Sequence, residues 1–143
     1  MVGELTGSTA IVTGGSRGIG LATAAALVAA GANVVLTSRR REAAEAAADE
    51  INLSSEPGGG IAVGYGAHAA DETAAAACVE HTVSRFGSLD ILVNNAGTNP
   101  AYGPLVDQDH ARFTKTFEVN VWAPLLWSAL AVRAGWASTA APS

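Results

Sequence analysis

Short runs of aliphatic and β-branched residues alternate along the chain with longer alanine-rich stretches, and the two kinds of segment carry different periods. Thr9-Ala10-Ile11-Val12-Thr13 has few polar side chains, the pattern of a strand buried on both faces. After a cluster of glycines, Ile19, Ala22, Ala26, Leu27 and Ala30 recur at helical spacing until Gly31 stops the helix. Asn33-Val34-Val35-Leu36-Thr37 predicts a second strand, closing a βαβ unit. From Arg40 to Ile51, Ala44, Ala48 and Ile51 form one stripe while Arg41, Glu42, Glu45, Asp49 and Glu50 face water. The stretch from Ser54 to Gly60 is a loop, and Ile61 to Tyr65 is a third strand, weakened by Gly64. Asp71 caps a helix whose Ala75, Cys78, Val79, Thr82, Val83 and Phe86 share a face, and Gly87 ends it. Asp90 to Asn94 is a fourth strand. A helical region follows from Asp109 to Arg133, expected to bend or divide near Asn120 and Pro124. Helices alternating with apolar strands predict an α/β fold, a parallel sheet covered by helices.

Composition narrows the function classes. The chain has 143 residues, 49% hydrophobic and 15% charged, enough for one domain with a real core and too apolar for disorder. A net charge of −5 gives nucleic acid no general reason to bind. A lone Cys78 cannot staple a fold, and His68, His81 and His110 lack ligand spacing, so no metal is expected. Residues 1–6 lack the regions of a signal peptide. The longest apolar run, Val121 to Val132, is short and contains Pro124 and Ser128. The expectation is a cytoplasmic protein that does not meet the membrane.

The chemistry sits first in Thr13-Gly14-Gly15-Ser16-Arg17-Gly18-Ile19-Gly20, between a buried strand and a helix. Glycines let the backbone approach a pyrophosphate closely, and the helix N-terminus adds free N–H groups and a positive dipole. The alternative is a glycine-rich turn that holds nothing. No Gly-Lys-Ser/Thr follows, which argues against a nucleoside triphosphatase loop. A dinucleotide with a free 2′-hydroxyl is usually met by a carboxylate at the end of the second strand, and a 2′-phosphate by arginine. Here the strand ends in Thr37-Ser38-Arg39, without a carboxylate. Arg39 and Arg17 offer planar, permanently charged donors, which favours NADP(H) over NAD(H). The alternative for Arg39 is a solvated run with Arg40 and Arg41.

Taken together these residues resemble the classical short-chain dehydrogenases/reductases, with the oxoacyl-carrier-protein reductase-like members nearest. The glycine loop is similar to the family's cofactor loop, Asn94-Asn95-Ala96-Gly97 to its second signature, and Asn120 in Phe117-Glu118-Val119-Asn120-Val121 to its catalytic asparagine. The resemblance implies a Rossmann-type doubly wound sheet, of which residues 1–133 supply the first four strands in the order 3-2-1-4. It also implies hydride transfer between NADP(H) and a small-molecule carbonyl or secondary alcohol. Gly14, Ser16, Arg17, Gly18, Ile19 and Gly20 would cradle the pyrophosphate and adjoining ribose, with Ser38 and Arg39 at the 2′-phosphate. Asn94, Ala96 and Gly97 would line the central part of the cofactor and brace the fourth strand against the first. His68 stands where many relatives carry an acidic residue near the adenine, and reads as a neighbour of the base rather than a catalyst. His81 and His110 read as exposed helix residues.

The same resemblance calls for a serine about two dozen residues past Asn120 and a Tyr-x-x-x-Lys on the following helix, to protonate the carbonyl oxygen. Neither Tyr65 nor Tyr102 has a lysine four residues later, and Lys115 precedes Asn120. From residue 134 to 143 the sequence shows neither helical nor strand period. With GC-rich codons, Gly135 to Pro142 reads in a neighbouring frame as Met-Gly-Glu-His-Gly-Gly-Ala, a family-like helix end. The expectation is a frameshift near residue 134, leaving a cofactor-binding remnant. Ile91-Leu92-Val93 would then form an open edge, and Val121 to Leu130, apolar on nearly every side, would be buried between the sheet and a partner. In the family that helix helps build an oligomer interface.

Overall fold

The computed structural model describes residues 3–97 and 105–136. The elements are β1 (Thr9–Val12), α1 (Gly18–Ala29), β2 (Asn33–Ser38), α2 (Arg41–Leu53), β3 (Ala62–Gly66), α3 (Glu72–Phe86) and β4 (Ile91–Val93), then a 3-10 turn at Leu105–Asp107, α4 (His110–Phe117) and α5 (Ala123–Ala131). All strand pairs are parallel and the sheet order is β3-β2-β1-β4, as expected.

Period-two alternation divides the core between the faces of the sheet. Ala10, Val12, Val34 and Leu36 point to one face and pack against α1 and α2 through Ala24, Val28, Ala44, Ala48 and Ile51. Ile11 and Val35 point to the other and meet α3 and α5 through Ala75, Cys78, Val79, Leu126 and Trp127. Every residue of β1 is therefore buried, which explains why its sequence carries so few polar side chains. In register, Val12 stands beside both Leu36 and Val93, so β1 and β4 end level and β2 runs two residues further at the same edge of the sheet. The loops that follow these strands must share that edge.

Local chemistry sets the element ends. The Asp71 carboxylate accepts the Ala74 N–H at 3.0 Å to start α3, and Gly87, at φ +87°, closes it. Asp109 starts α4 in the same way, on the Arg112 N–H at 2.8 Å. The outer strand β3 is guarded by Asn52, whose amide donates to the Ala62 carbonyl at 2.9 Å and accepts its N–H at 2.8 Å. A side chain thereby occupies backbone groups that an added strand would need.

The region from His110 to Trp136 yields where expected, near Asn120 and Pro124: a π turn at Glu118–Trp122 separates α4 from α5, and a second π turn follows at Val132–Trp136. Pro124 falls in the first turn of α5, directly after the wider turn, and such a turn is one way for a helix to relieve the clash between a proline ring and the carbonyl four residues before it. Residues 134–136, where a foreign tail was expected, continue this helical path, and 137–143 lie outside the described residues.

The apolar segment is buried on one side and exposed on the other. Ala123, Leu126, Trp127 and Ala131 face the core, whereas Phe113, Phe117, Val121 and Leu125 are 58, 49, 55 and 62% exposed. Those four positions repeat every fourth residue. An α-helix would rotate such a series by about 40° per step, and the π turn, taking more residues per turn, offsets that drift. Trp127 is the largest fully buried side chain, and its indole N–H donates to the Ala69 carbonyl at 2.8 Å, tying α5 to the chain beyond β3. At the free side of the sheet β4 is half-buried, the open edge expected of it. No helix among the described residues is long and apolar enough to cross a membrane.

Burial on the core face of α3 pushes the Cys78 thiol up to about 12, against a smaller opposing effect of the Thr82 hydroxyl. The folded state therefore holds a proton that the unfolded chain releases above its ordinary thiol range. Stability contributed by this group is complete below that range and falls by about 1.4 kcal/mol per pH unit until the folded value is reached. Denaturant titrations from pH 8 to 11 are expected to show this fall, and Cys78→Ala to flatten it.

Candidate functional site

Where β1 ends, one hydroxyl organises the turn. Thr13 donates its backbone N–H to the Val93 carbonyl at 3.1 Å, and its Oγ1 accepts the N–H groups of Asn95 and Ala96, both at 3.1 Å. Asn95 answers through its side chain, Nδ2 donating to the Gly14 carbonyl at 2.9 Å. On the other flank the Gly14 N–H donates to Thr37 Oγ1 at 3.3 Å and the Gly15 N–H to the Thr37 carbonyl at 2.9 Å. The glycine loop is thus pinned to β4 on one side and β2 on the other.

Two glycines of the loop differ in what they require. Gly14 has φ +63°, and a β-carbon there would lie 2.9 Å from the Cα of Ala96, so both backbone angle and packing demand glycine. Gly18 has φ +57°, but a β-carbon would meet nothing within 4 Å. Its surroundings are open because it borders a cleft. No side chain caps the first turn of α1 and no acidic residue stands there, so the first N–H groups of the helix keep their capacity for an anion.

The cleft encloses about 810 Å³ along the C-terminal edge of the sheet. Its floor is the glycine loop, and its sides are Ser38, Arg39 and Arg40 after β2, Ala67, His68 and Ala69 after β3, Asn95, Ala96 and Gly97 after β4, and Lys115 and Val119 from the α4 region. Arg17, Arg39, Arg40 and Lys115 bring positive charge and, among the described residues, no carboxylate lines the space, although the chain as a whole is at −5. Ser38 Oγ accepts the Arg40 N–H at 3.2 Å, leaving its own hydroxyl proton to donate into the cleft. Ile19, 80% exposed at the cleft, offers an apolar surface that a flat ring could cover.

Gly14, Ser16, Arg17, Gly18, Ile19, Ser38, Arg39, Ala96 and Gly97 all border this cleft. Gly20 is buried one step behind, where a β-carbon would run into the Gly14 carbonyl and the Asn95 amide. Asn120 lies in the π turn, and a β-carbon on Gly97 would come 3.5 Å from its Oδ1, which places it at the Gly97 end. His68 borders the cleft while its Nδ1 accepts the Ala70 N–H at 3.1 Å, holding its own turn. His81 and His110 are exposed helix residues.

The bracing assigned to Asn94 belongs instead to Asn95. Asn94 is exposed, does not border the cleft, and donates from Nδ2 to Ser128 Oγ on α5 at 3.3 Å. Successive residues leaving a strand point to opposite faces, so only one of two adjacent asparagines can meet the loop. Thr37, Arg40, Lys115 and Val119 also border the cleft, and of these only Arg40 carries a local signal, as a continuation of the arginine run.

Asn95→Ala removes a donor from a part-buried carbonyl and is expected to cost about 1–3 kcal/mol in denaturant unfolding, with nucleotide affinity falling alongside. Asn94→Ala, at an exposed bond, should stay within about 0.5 kcal/mol.

Residues 8–138 match the short chain dehydrogenase family. A short chain dehydrogenase/reductase of Macrophomina phaseolina (strain MS6) is 36% identical over 130 residues, covering 91% of this chain and 73% of the relative. Among solved structures, a metagenomic short-chain oxidoreductase in complex with NADP is 37% identical with a TM-score of 0.80, covering 94% of this chain and 57% of the other. A 3-ketoacyl-ACP reductase from Sinorhizobium meliloti 1021 is 38% identical, also at 0.80, covering 87% and 48%. The chain thus spans about half the length of these two structures. With its sheet order, its doubly pinned glycine loop and an asparagine in a π turn beside the cleft, the chain belongs to the classical short-chain dehydrogenases/reductases.

Proposed function

We propose that these residues form the cofactor-binding half of an oxidoreductase that moves hydride between NADP(H) and a carbonyl or secondary alcohol. The carrying observation is the end of β2, where Ser38, Arg39 and Arg40 border a cleft without a carboxylate. Arginine forks suit a phosphate dianion, and an acidic side chain that would repel it is missing from the cleft. The residues present fit a dinucleotide: open space at Gly18, uncapped N–H groups at the start of α1, and an apolar Ile19 surface. The bound nicotinamide would supply the hydride. Gly14, Ser16, Arg17, Gly18 and Ile19 hold the pyrophosphate and adjoining ribose, Ser38 and Arg39 the 2′-phosphate, and Ala96 and Gly97 the central portion. Asn120 supports the proton-transfer side at the Gly97 end. The NADP complex and the ketoacyl reductase among the similar structures support this assignment by likeness.

A second reading concerns these residues alone. The serine and Tyr-x-x-x-Lys that the family likeness calls for are not among them. Cofactor binding and proton donation are separable, so the 143-residue chain is read as an NADP(H) binder without turnover. Fluorescence titration should give NADPH an affinity at least about tenfold above NADH, with Arg39→Gln erasing most of the difference. Equal affinity in the unaltered chain defeats the 2′-phosphate assignment, and carbonyl reduction at an ordinary enzymatic rate defeats the reading of these residues as a binder without turnover.

Self-association is the partner reading that the exposed stripe Phe113, Phe117, Val121 and Leu125 supports, because a second copy offers the same apolar face. Leu125→Glu is expected to shift the chain toward monomer in light scattering, without altering cofactor affinity.

A further inference from the structure

The wall of the cleft opposite the arginines carries a cation to which no role has been given. Lys115 is the only lysine in the chain. It lies on α4, one turn before Val119, and both residues border the cleft. Val119 is 7% exposed, so the helix side that carries the pair turns toward the cleft. The run from α4 continues into α5, which packs on the face of the sheet opposite α1 and α2. Arg17, Arg39 and Arg40 come from the loop before α1 and the segment before α2. Lys115 therefore reaches the same space from the other wall.

Among the described residues no ion pair takes up its charge. The ion pairs among the described residues join Arg41 to Glu45 and Arg112 to Asp109; neither Asp109 nor Glu118, three residues further on, takes up Lys115. An ammonium bordering a carboxylate-free cleft lacks a counter-ion that an anionic ligand would provide. Lysine suits a phosphate whose position shifts as a ligand settles, since it is a point charge on a flexible stem rather than a fixed fork.

We propose that Lys115 is a cofactor-binding residue that pairs with a phosphate of the bound dinucleotide from the wall opposite Arg17, Arg39 and Arg40. The proposal rests on reading the cleft as an NADP(H) site. A cation on each wall means that a bound phosphate joins α4 to the loops of the opposite face. The ligand thereby supplies a link between the two layers of helices at this end of the sheet.

Being the only lysine, Lys115 can be followed directly. An amine-directed acylating reagent modifies it and the α-amino group, and peptide mass spectrometry separates the two. Saturating NADPH is expected to slow acylation of Lys115 several-fold, with the α-amino group as internal control. Lys115→Gln should weaken NADPH binding about threefold to tenfold at low salt and less at high salt, as for a partly exposed ion pair. Lys115→Arg should retain most of the affinity. A loss confined to NADPH places the ammonium on the 2′-phosphate, and an equal loss with NADH places it on the pyrophosphate; both carry the proposal. Unslowed acylation under saturating NADPH, or unchanged affinity in Lys115→Gln, overturns it while leaving the cleft's assignment intact. Failure of the unaltered chain to bind either dinucleotide overturns that assignment and this proposal together.

Discussion

The hydroxyl of Thr13 is the point on which the site depends. A parallel sheet leaves each strand's last peptide groups to be satisfied by loops, and here one oxygen accepts two successive N–H groups from the segment leaving β4. The Asn95 amide returns the connection to Gly14, and Thr37 holds the loop from the β2 side. With both flanks fixed, the loop has one path, and that path needs φ +63° at Gly14 and close approach to Ala96. Cleft shape follows from this junction. The loop after β1 leads into α1, Asn95 to Gly97 follow β4, and the space opens between them at the C-terminal edge of the sheet.

Much of this was legible in the sequence because period and punctuation agree. β1 shows few polar residues since both faces are covered, and Asp71 and Gly87 bound α3 through capping chemistry that any reader of the chain can recognise. What escaped depends on tertiary register. Asn94 and Asn95 have the same chemistry, and only their directions on leaving β4 decide which meets Gly14 and which meets Ser128. Lys115 and Val119 are separated from the glycine loop by most of the chain, so no local pattern could place them on one cleft. Trp127 is one aromatic in an apolar run, yet its partner is a carbonyl 58 residues away.

The helical region after Asp109 shows how a local rule fixes where a helix must yield and leaves the form of the relief open. A proline in a helix demands that the preceding turn yield. Division of the helix is one answer. A π turn is another, and it is the one taken: the helix widens at Glu118–Trp122, Pro124 is accommodated and the path continues. The same widening sets Asn120 in the distorted turn, beside Gly97, instead of in a regular helix. It also keeps Phe113, Phe117, Val121 and Leu125 on one exposed side while Leu126 and Trp127 stay in the core.

Charge distribution carries the argument from fold to function. A chain at −5 repels anions at long range, so an anionic ligand must be attracted by local arrangement. The acidic residues of α2 lie on its solvent side, and Asp71 and Asp109 are engaged as helix caps. Arg17, Arg39, Arg40 and Lys115 meet at the one edge of the sheet where the loops diverge. Uncapped N–H groups at the start of α1 add to the same field. Within about a Debye length the sign of the potential therefore follows these groups and not the net charge. A neutral turn of the same shape would need none of them, which is why a phosphate-bearing ligand accounts for this edge better than a ligand-free loop.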